Sequence, residues 1–185
     1  MGRIVLIIGG ARSGKSTYAQ QLAKKTSNKV AFIATAEALD DEMAQRINAH
    51  QKSRPSEWIT IEAPTGIKQK FIQANVDIGV VVIDCLTLLV SNILMQAINH
   101  NQTDETYLAS LLKQEFDEII ATAHASDALW IIVTNEVGLG IVPGDSLSRL
   151  YRDILGRGNQ WMAAAADEVI NMVAGIPIPI HQFRM

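Results

Sequence analysis

Gly9-Gly10-Ala11-Arg12-Ser13-Gly14-Lys15-Ser16 decides the reading of this chain: it follows the apolar run Ile4-Val5-Leu6-Ile7-Ile8 and opens a segment of helical spacing. The stretch fits G-x-x-x-x-G-K-[ST] without a mismatch. Glycine has no Cβ, so the backbone can bend until successive N–H groups point inward and make a nest for phosphate oxygens. The helix that follows aims its partly positive N-terminus at the same anion. In such a loop the lysine, here Lys15, bridges the β- and γ-phosphates, and the hydroxyl of Ser16 is offered to Mg2+. Gly9, Gly10, Ala11, Arg12, Ser13, Gly14, Lys15 and Ser16 are therefore the first nucleotide-binding candidates.

Outward from the loop, short apolar runs at 3–8, 30–35, 58–62, 79–84, 129–134 and 169–173 read as strands buried on both faces, as a parallel sheet requires. Helical spacing fills 14–25, 40–52, 66–74, 86–98, 103–124 and 145–166. The second of these opens with Asp40-Asp41-Glu42, acidic residues at a helix's positive end. The fifth opens with Thr103-Asp104-Glu105, a capping sequence, and carries Leu108, Leu111, Leu112, Phe116 and Ile119 on one stripe. Alternation of strand and helix predicts an α/β P-loop fold of three layers, a mostly parallel central sheet with helices on both faces. One domain spanning 1–185 is expected from the length. P-loop enzymes also need an acidic residue at a strand end to hold the Mg2+ shell. Val80-Val81-Val82-Ile83-Asp84 supplies one, so Asp84 joins Ser16 as a metal candidate.

The charge balance excludes several classes. Lys+Arg number 16 against 19 Asp+Glu, a net −3, so no basic excess exists to neutralise a nucleic-acid backbone or anionic lipid. Cys85 is the single cysteine, which rules out an internal disulfide, and no Cys/His cluster has zinc spacing. A reducing compartment, the cytoplasm, is expected. The run at 4–8 is too short for a signal core, and no apolar stretch reaches membrane-spanning length. A signalling GTPase would need Asn-Lys-x-Asp; Asn28-Lys29 is followed by Val30-Ala31. No arginine-rich lid of the nucleoside monophosphate kinase kind is evident.

The loop, together with Ile33-Ala34-Thr35-Ala36 and Leu39-Asp40-Asp41-Glu42-Met43-x-x-Arg46-Ile47-x-x-His50, resembles the bifunctional adenosylcobinamide kinase/adenosylcobinamide-phosphate guanylyltransferase family of cobalamin assembly. The match continues through Arg54-Pro55, Trp58 and Glu62, then Thr134-Asn135-Glu136-Val137-Gly138-x-Gly140-Ile141-Val142-Pro143, and closes on Arg152-Asp153-x-x-Gly156-Arg157-x-Asn159-Gln160. The resemblance implies a RecA-like fold and two reactions. The first is phosphorylation of the aminopropanol hydroxyl of adenosylcobinamide by ATP or GTP. The second is transfer of GMP from GTP onto that phosphate, with loss of pyrophosphate. It further implies Mg2+ as cofactor and a homo-oligomer, a trimer, with sites near subunit contacts. His50 stands at the family's guanylyl-carrying position, and Ala34, Thr35, Ala36, Gln51, Lys52, Ser53, Arg54, Glu62 and Asp84 at its further nucleotide contacts. A histidine suits the role, because its unperturbed pKa of about 6.5 lets it attack as neutral imidazole and leave once protonated.

Read from residues alone, a P-loop small-molecule kinase that forms no histidine adduct stays open, as does a RecA-type ATPase module. Asn135-Glu136 falls at the carboxyl edge where α/β sheets bind ligands and is a functional candidate without an assigned role. Asn159-Gln160 and Asp167-Glu168 read as subunit contacts or helix ends. Trp58 and Trp161 read as packing residues, and His100, His124 and His181 as surface.

Overall fold

A computed structural model describes residues 1–38, 41, 44, 45, 47, 51 and 54–181. Each apolar run becomes a strand: β1 (Arg3–Gly9), β2 (Val30–Ala34), β3 (Ile59–Glu62), β4 (Val80–Asp84), β5 (Leu129–Val133) and β6 (Glu168–Val173). The helices between them are α1 (Lys15–Thr26), α2 (Ile67–Ala74), α3 (Leu86–Asn99), α4 (Glu105–Ala125) and α5 (Ser146–Ala165). Between β2 and β3, Asp41, Ala44, Gln45, Ile47 and Gln51 are helical. The remainder of the helix expected at 40–52 lies outside the described residues. Two aspartates cap as their chemistry predicts. Asp104 accepts from the Tyr107 N–H at 2.8 Å, and Asp145 from the Ser148 N–H at 2.7 Å.

The strands make one sheet in the order β3-β2-β4-β5-β1-β6-β7, parallel except for β7 (Ile176–Pro179), which runs antiparallel to β6. Sequence reading missed β7 because Ile176-Pro177-Ile178-Pro179 alternates with proline, which has no N–H for a ladder. The strand occupies an edge, where the loss is tolerated. Ala174 and Gly175, at φ 50° and 83°, turn the chain into it, as a tight hairpin between right-twisted strands demands.

Alternation along the strands feeds two cores. Val5, Ile7, Phe32, Val82, Ile131 and Val133 face α1, whose Ala19 and Ala23 are buried on them. Ile4, Leu6, Ile33, Ile83, Trp130 and Ile132 face α2 to α5. This is the three-layer arrangement expected. Trp58 is buried and stacks on Phe32 at 6.4 Å, while Trp161 meets Phe116 edge-on at 6.3 Å. His100 is exposed, whereas His124 and His181 are half-buried rather than surface residues. Among the described residues no helix is long and apolar enough to cross a membrane.

Candidate active site

Gly9 to Ser16 joins β1 to α1, and its backbone shows why glycine recurs. Gly14 sits at φ 95° and Gly9 at φ 157°, while Arg12 takes the left-handed value of 56°. A Cβ on Gly9 would stand 2.5 Å from the Met172 carbonyl oxygen. The β6–β7 turn also braces the loop, since the Gly175 N–H donates to the Ser13 carbonyl at 3.0 Å. Lys15 is only 7% exposed. Its ammonium folds over the loop, donating to the Gly10 carbonyl at 2.5 Å and to Ser13 Oγ at 3.4 Å. Burial lowers the Lys15 pKa, opposed by Cys85 and Asp84. The Cys85 thiol is itself pushed up to about 11, by burial first and then by Asp84. It therefore stays protonated at neutral pH, and Asp84 is the negative charge that faces Lys15.

The strand register puts the predicted site residues on one line. Ile7 pairs with Val133, Val133 with Asp84, Asp84 with Ala34, and Ala34 with Glu62. At about 4.8 Å per strand, this row along the carboxyl edge spans about 19 Å, with the glycine loop just beyond its β1 end. Asp84 Oδ2 is buried and has no hydrogen-bond partner among the described residues, an arrangement that ordinarily calls for an ion or water. Glu62 is exposed at the far end of the row, Ala36 and Ser16 are half-buried, and Gln51 is exposed. Thr35 is fully occupied internally. Its hydroxyl donates to the Cys85 carbonyl and accepts from the Cys85 N–H, both at 2.8 Å, and Asn92 Nδ2 donates to its carbonyl at 2.8 Å. Thr35 thus pins β2 to the β4–α3 junction, its hydroxyl buried and bonded to both the N–H and the carbonyl of Cys85. Arg54 lies past the helical residues, its guanidinium 3.6 Å over the Phe32 ring, with Nε and Nη1 buried and without a hydrogen-bond partner among the described residues. It shares a cleft with Lys24, Ser27 and Glu57 rather than with the glycine loop. Burial lowers its pKa, against the pull of Asp84 and Glu62. His50, Lys52, Ser53 and Arg46 lie outside the described residues.

At the end of β5 the Glu136 N–H donates to the Gly9 carbonyl at 3.1 Å, which brings the Asn135-Glu136 pair against the loop. Buried polar side chains hold the pair there. Thr87 Oγ1 accepts from the Asn135 N–H at 2.9 Å, and Asn159 Nδ2 donates to the Asn135 carbonyl at 3.0 Å. Asn159 Oδ1 accepts from Thr134 Oγ1 at 2.7 Å. Asn159 is therefore no subunit contact or helix end. It is 6% exposed inside α5 and acts as a strut for the β5 turn. Asp167 and Glu168 follow the end of α5, where Asp167 Oδ2 accepts from the Ile4 N–H at 2.7 Å and Glu168 pairs with Arg3 at 2.5 Å, tying β6 to β1. Sequence reading missed Thr87 and Asn92; the available signal was a polar residue inside the apolar run Leu86-Thr87-Leu88-Leu89-Val90-Ser91-Asn92-Ile93.

An amide nest at the mouth of a parallel sheet, with a buried lysine above it and a lone carboxylate two strands away, is the shared equipment of P-loop nucleotide-binding proteins, and this chain is one. Its fold is RecA-like: it is similar to the crystal structure of the RadB recombinase with a TM-score of 0.51, 17% identity and coverage of 92% of this chain and 74% of that one. Residues 5–180 match the family described as cobinamide kinase / cobinamide phosphate guanyltransferase, and the chain belongs to that family. Relatives include the bifunctional adenosylcobalamin biosynthesis protein CobU of Escherichia coli K12, 41% identical over 96% of this chain and 99% of its own length. The bifunctional adenosylcobalamin biosynthesis protein CobP of Pseudomonas aeruginosa is 37% identical over 95% of each.

Proposed function

We propose that this chain phosphorylates the aminopropanol hydroxyl of adenosylcobinamide and then transfers GMP from GTP onto the phosphate, giving adenosylcobinamide-GDP and pyrophosphate. The observation that carries the reading is the family match over residues 5–180 on a chain whose glycine loop and Asp84 stand in one P-loop arrangement. GTP or ATP seats its phosphates on the N–H groups of Gly9 to Ser16, with the Lys15 ammonium released from the Gly10 carbonyl to bridge them. Ser16 and Asp84 would hold Mg2+, whose charge neutralises the polyphosphate; the unpartnered Asp84 Oδ2 suits that duty. Ala34, Ala36 and Glu62 line the far end of the row, where the exposed Glu62 carboxylate can accept from ribose hydroxyls or a purine amino group. Gln51, Lys52, Ser53 and Arg54, at the positions the family resemblance implies, complete the nucleotide contacts.

In the second reaction a neutral His50 nitrogen attacks the α-phosphorus of GTP, the bond to the bridging oxygen breaks, and pyrophosphate leaves. An oxygen of cobinamide phosphate then attacks the same phosphorus, and the protonated imidazole departs. A trimer in the cytoplasm completes the proposal, supported by the family membership. The test is incubation of the full chain with adenosylcobinamide, GTP and Mg2+, read by mass spectrometry. Both the phosphorylated and the GDP-linked corrinoid should form. Arrest at the phosphate would favour a simple kinase, and nucleotide hydrolysis with unaltered corrinoid would favour an ATPase module.

A further inference from the structure

We infer that the corrinoid acceptor enters through the groove between the β5–α5 loop and the β6–β7 hairpin, with Glu136 receiving the proton of its hydroxyl. This rests on the kinase reading above and locates the second substrate of that reaction. The groove has a volume of about 480 Å³; Gly9 and Gly10 of the glycine loop form one wall, Glu136 and Leu139 a second, and Val173 and Ile180 a third. A phosphoryl acceptor must bring its oxygen within about 3–3.5 Å of the γ-phosphorus, so its site has to share a wall with the phosphate nest. The larger cavity between α2, α3 and α4, about 670 Å³ and lined by Gln69, Gln96 and Glu115, contains no residue of the loop. The small cleft over Arg12 to Thr17 is made of loop and α1 alone and suits the phosphates themselves.

The mouth of the groove has a chemistry of its own. Leu139 is 92% exposed and Ile141 97%, with Val142, Val173, Ile176 and Ile178 also exposed. A concentration of bare aliphatic side chains beside a catalytic loop marks a ligand surface. A corrin ring presents broad apolar faces with amides at the rim, and it is too large for the groove itself. The ring therefore rests on Leu139 and Ile141 while the aminopropanol arm reaches inward. Glu136 stands where the arm ends: its N–H is bonded to the Gly9 carbonyl and its Oε1 accepts from the Gly138 N–H. The hydroxyl oxygen bonds to the γ-phosphorus as the bond to the β–γ bridging oxygen breaks. The nucleoside diphosphate leaves with that electron pair, and the proton passes to the Glu136 carboxylate.

Leu139→Asn and Ile141→Asn, at positions that contribute nothing to the core, test the surface by calorimetry with adenosylcobinamide and separately with GTP and Mg2+. Each should weaken corrinoid binding about tenfold, the effect of one apolar side chain losing its burial. GTP affinity and the sedimentation mass should hold. Glu136→Gln should cut kcat of phosphorylation about 100-fold with KM for adenosylcobinamide within about twofold. Undiminished corrinoid affinity in the asparagine variants, or full kcat in Glu136→Gln, overturns the inference. So does a fall in sedimentation mass, which would assign the patch to a second copy of the chain. A wild type that phosphorylates no corrinoid defeats the functional reading and the groove with it, whereas an active wild type with indifferent variants defeats the groove alone.

Discussion

Replacing Asn159 by leucine should cost this protein about 2–4 kcal/mol, a large share of the 5–15 kcal/mol that holds a typical domain folded. The substitution keeps the bulk and removes both amide bonds, to Thr134 Oγ1 at 2.7 Å and to the Asn135 carbonyl at 3.0 Å. Two hydrogen bonds are worth about 1 kcal/mol each net. The Thr134 hydroxyl, on a residue with 0% exposure, is then stranded away from water, at about 1–3 kcal/mol. The gain in apolar burial offsets part of the loss. Urea unfolding of the full chain measures it as a lower midpoint at constant slope. Thr134→Val alone should cost about 1–2 kcal/mol, and the double variant should fall short of additivity by at least about 1 kcal/mol, because the stranded hydroxyl is gone. Slower corrinoid phosphorylation should accompany the change, since the freed Asn135 carbonyl loosens Glu136 from the Gly9 carbonyl. A variant within about 0.5 kcal/mol of wild type, or a strictly additive cycle, would refute the view of Asn159 as a strut.

Lys15→Met should weaken GTP binding about 10–100-fold, the worth of a charged hydrogen bond, with the circular dichroism spectrum unaltered; equal affinity by calorimetry would contradict the phosphate role. Glu115 accepts from the N–H groups of Gly66 and Ile67 at 3.3 and 2.9 Å, so Glu115→Ala should lose about 1–2 kcal/mol by uncapping α2, and Glu115→Gln distinctly less in the same urea assay. Cys85 is raised from an ordinary 9.0 to about 11. The folded state thus holds its proton longer than the unfolded state, and that contribution is complete below pH 9 and lost as pH climbs through 11. A decline on the order of 2–3 kcal/mol across that window should be absent in Cys85→Ala, and alkylation of the native thiol at pH 8 should run about 100-fold slower than that of a free cysteine.

Regular features were legible because local physics dictates them. The glycine loop is a backbone requirement written directly as residue type, and the six short apolar runs, rich in β-branched residues, read as strands of a sheet covered on both faces. What escaped notice depends on partners far away in the chain. Nothing local distinguishes Asn159 from an exposed helical asparagine until α5 is packed over the end of β5. Glu115 looks like one more charge on α4 until it reaches the N-terminus of α2. The Ile176-Pro177-Ile178-Pro179 strand contradicts strand propensity and is rescued by its place at an edge. Thr35 shows the converse case: it directly follows Ala34 of the row at the end of β2, yet its hydroxyl is engaged by Cys85. Arg54 sits in the right part of the chain, but Phe32 holds its guanidinium. His50 carried no physical signature of its own; the family resemblance supplied it.

Two chemistries on one P-loop scaffold is the central claim, and covalent trapping addresses it most directly. The full chain is incubated with Mg2+ and GTP labelled at the α-phosphate, quenched, and then chased in parallel with cobinamide phosphate. Label should attach to the protein in an acid-labile, base-stable bond, be missing in His50→Ala, and move to the corrinoid during the chase. Formation of GDP-linked corrinoid at full rate by His50→Ala, or label that stays on the wild-type protein throughout the chase, would contradict the account.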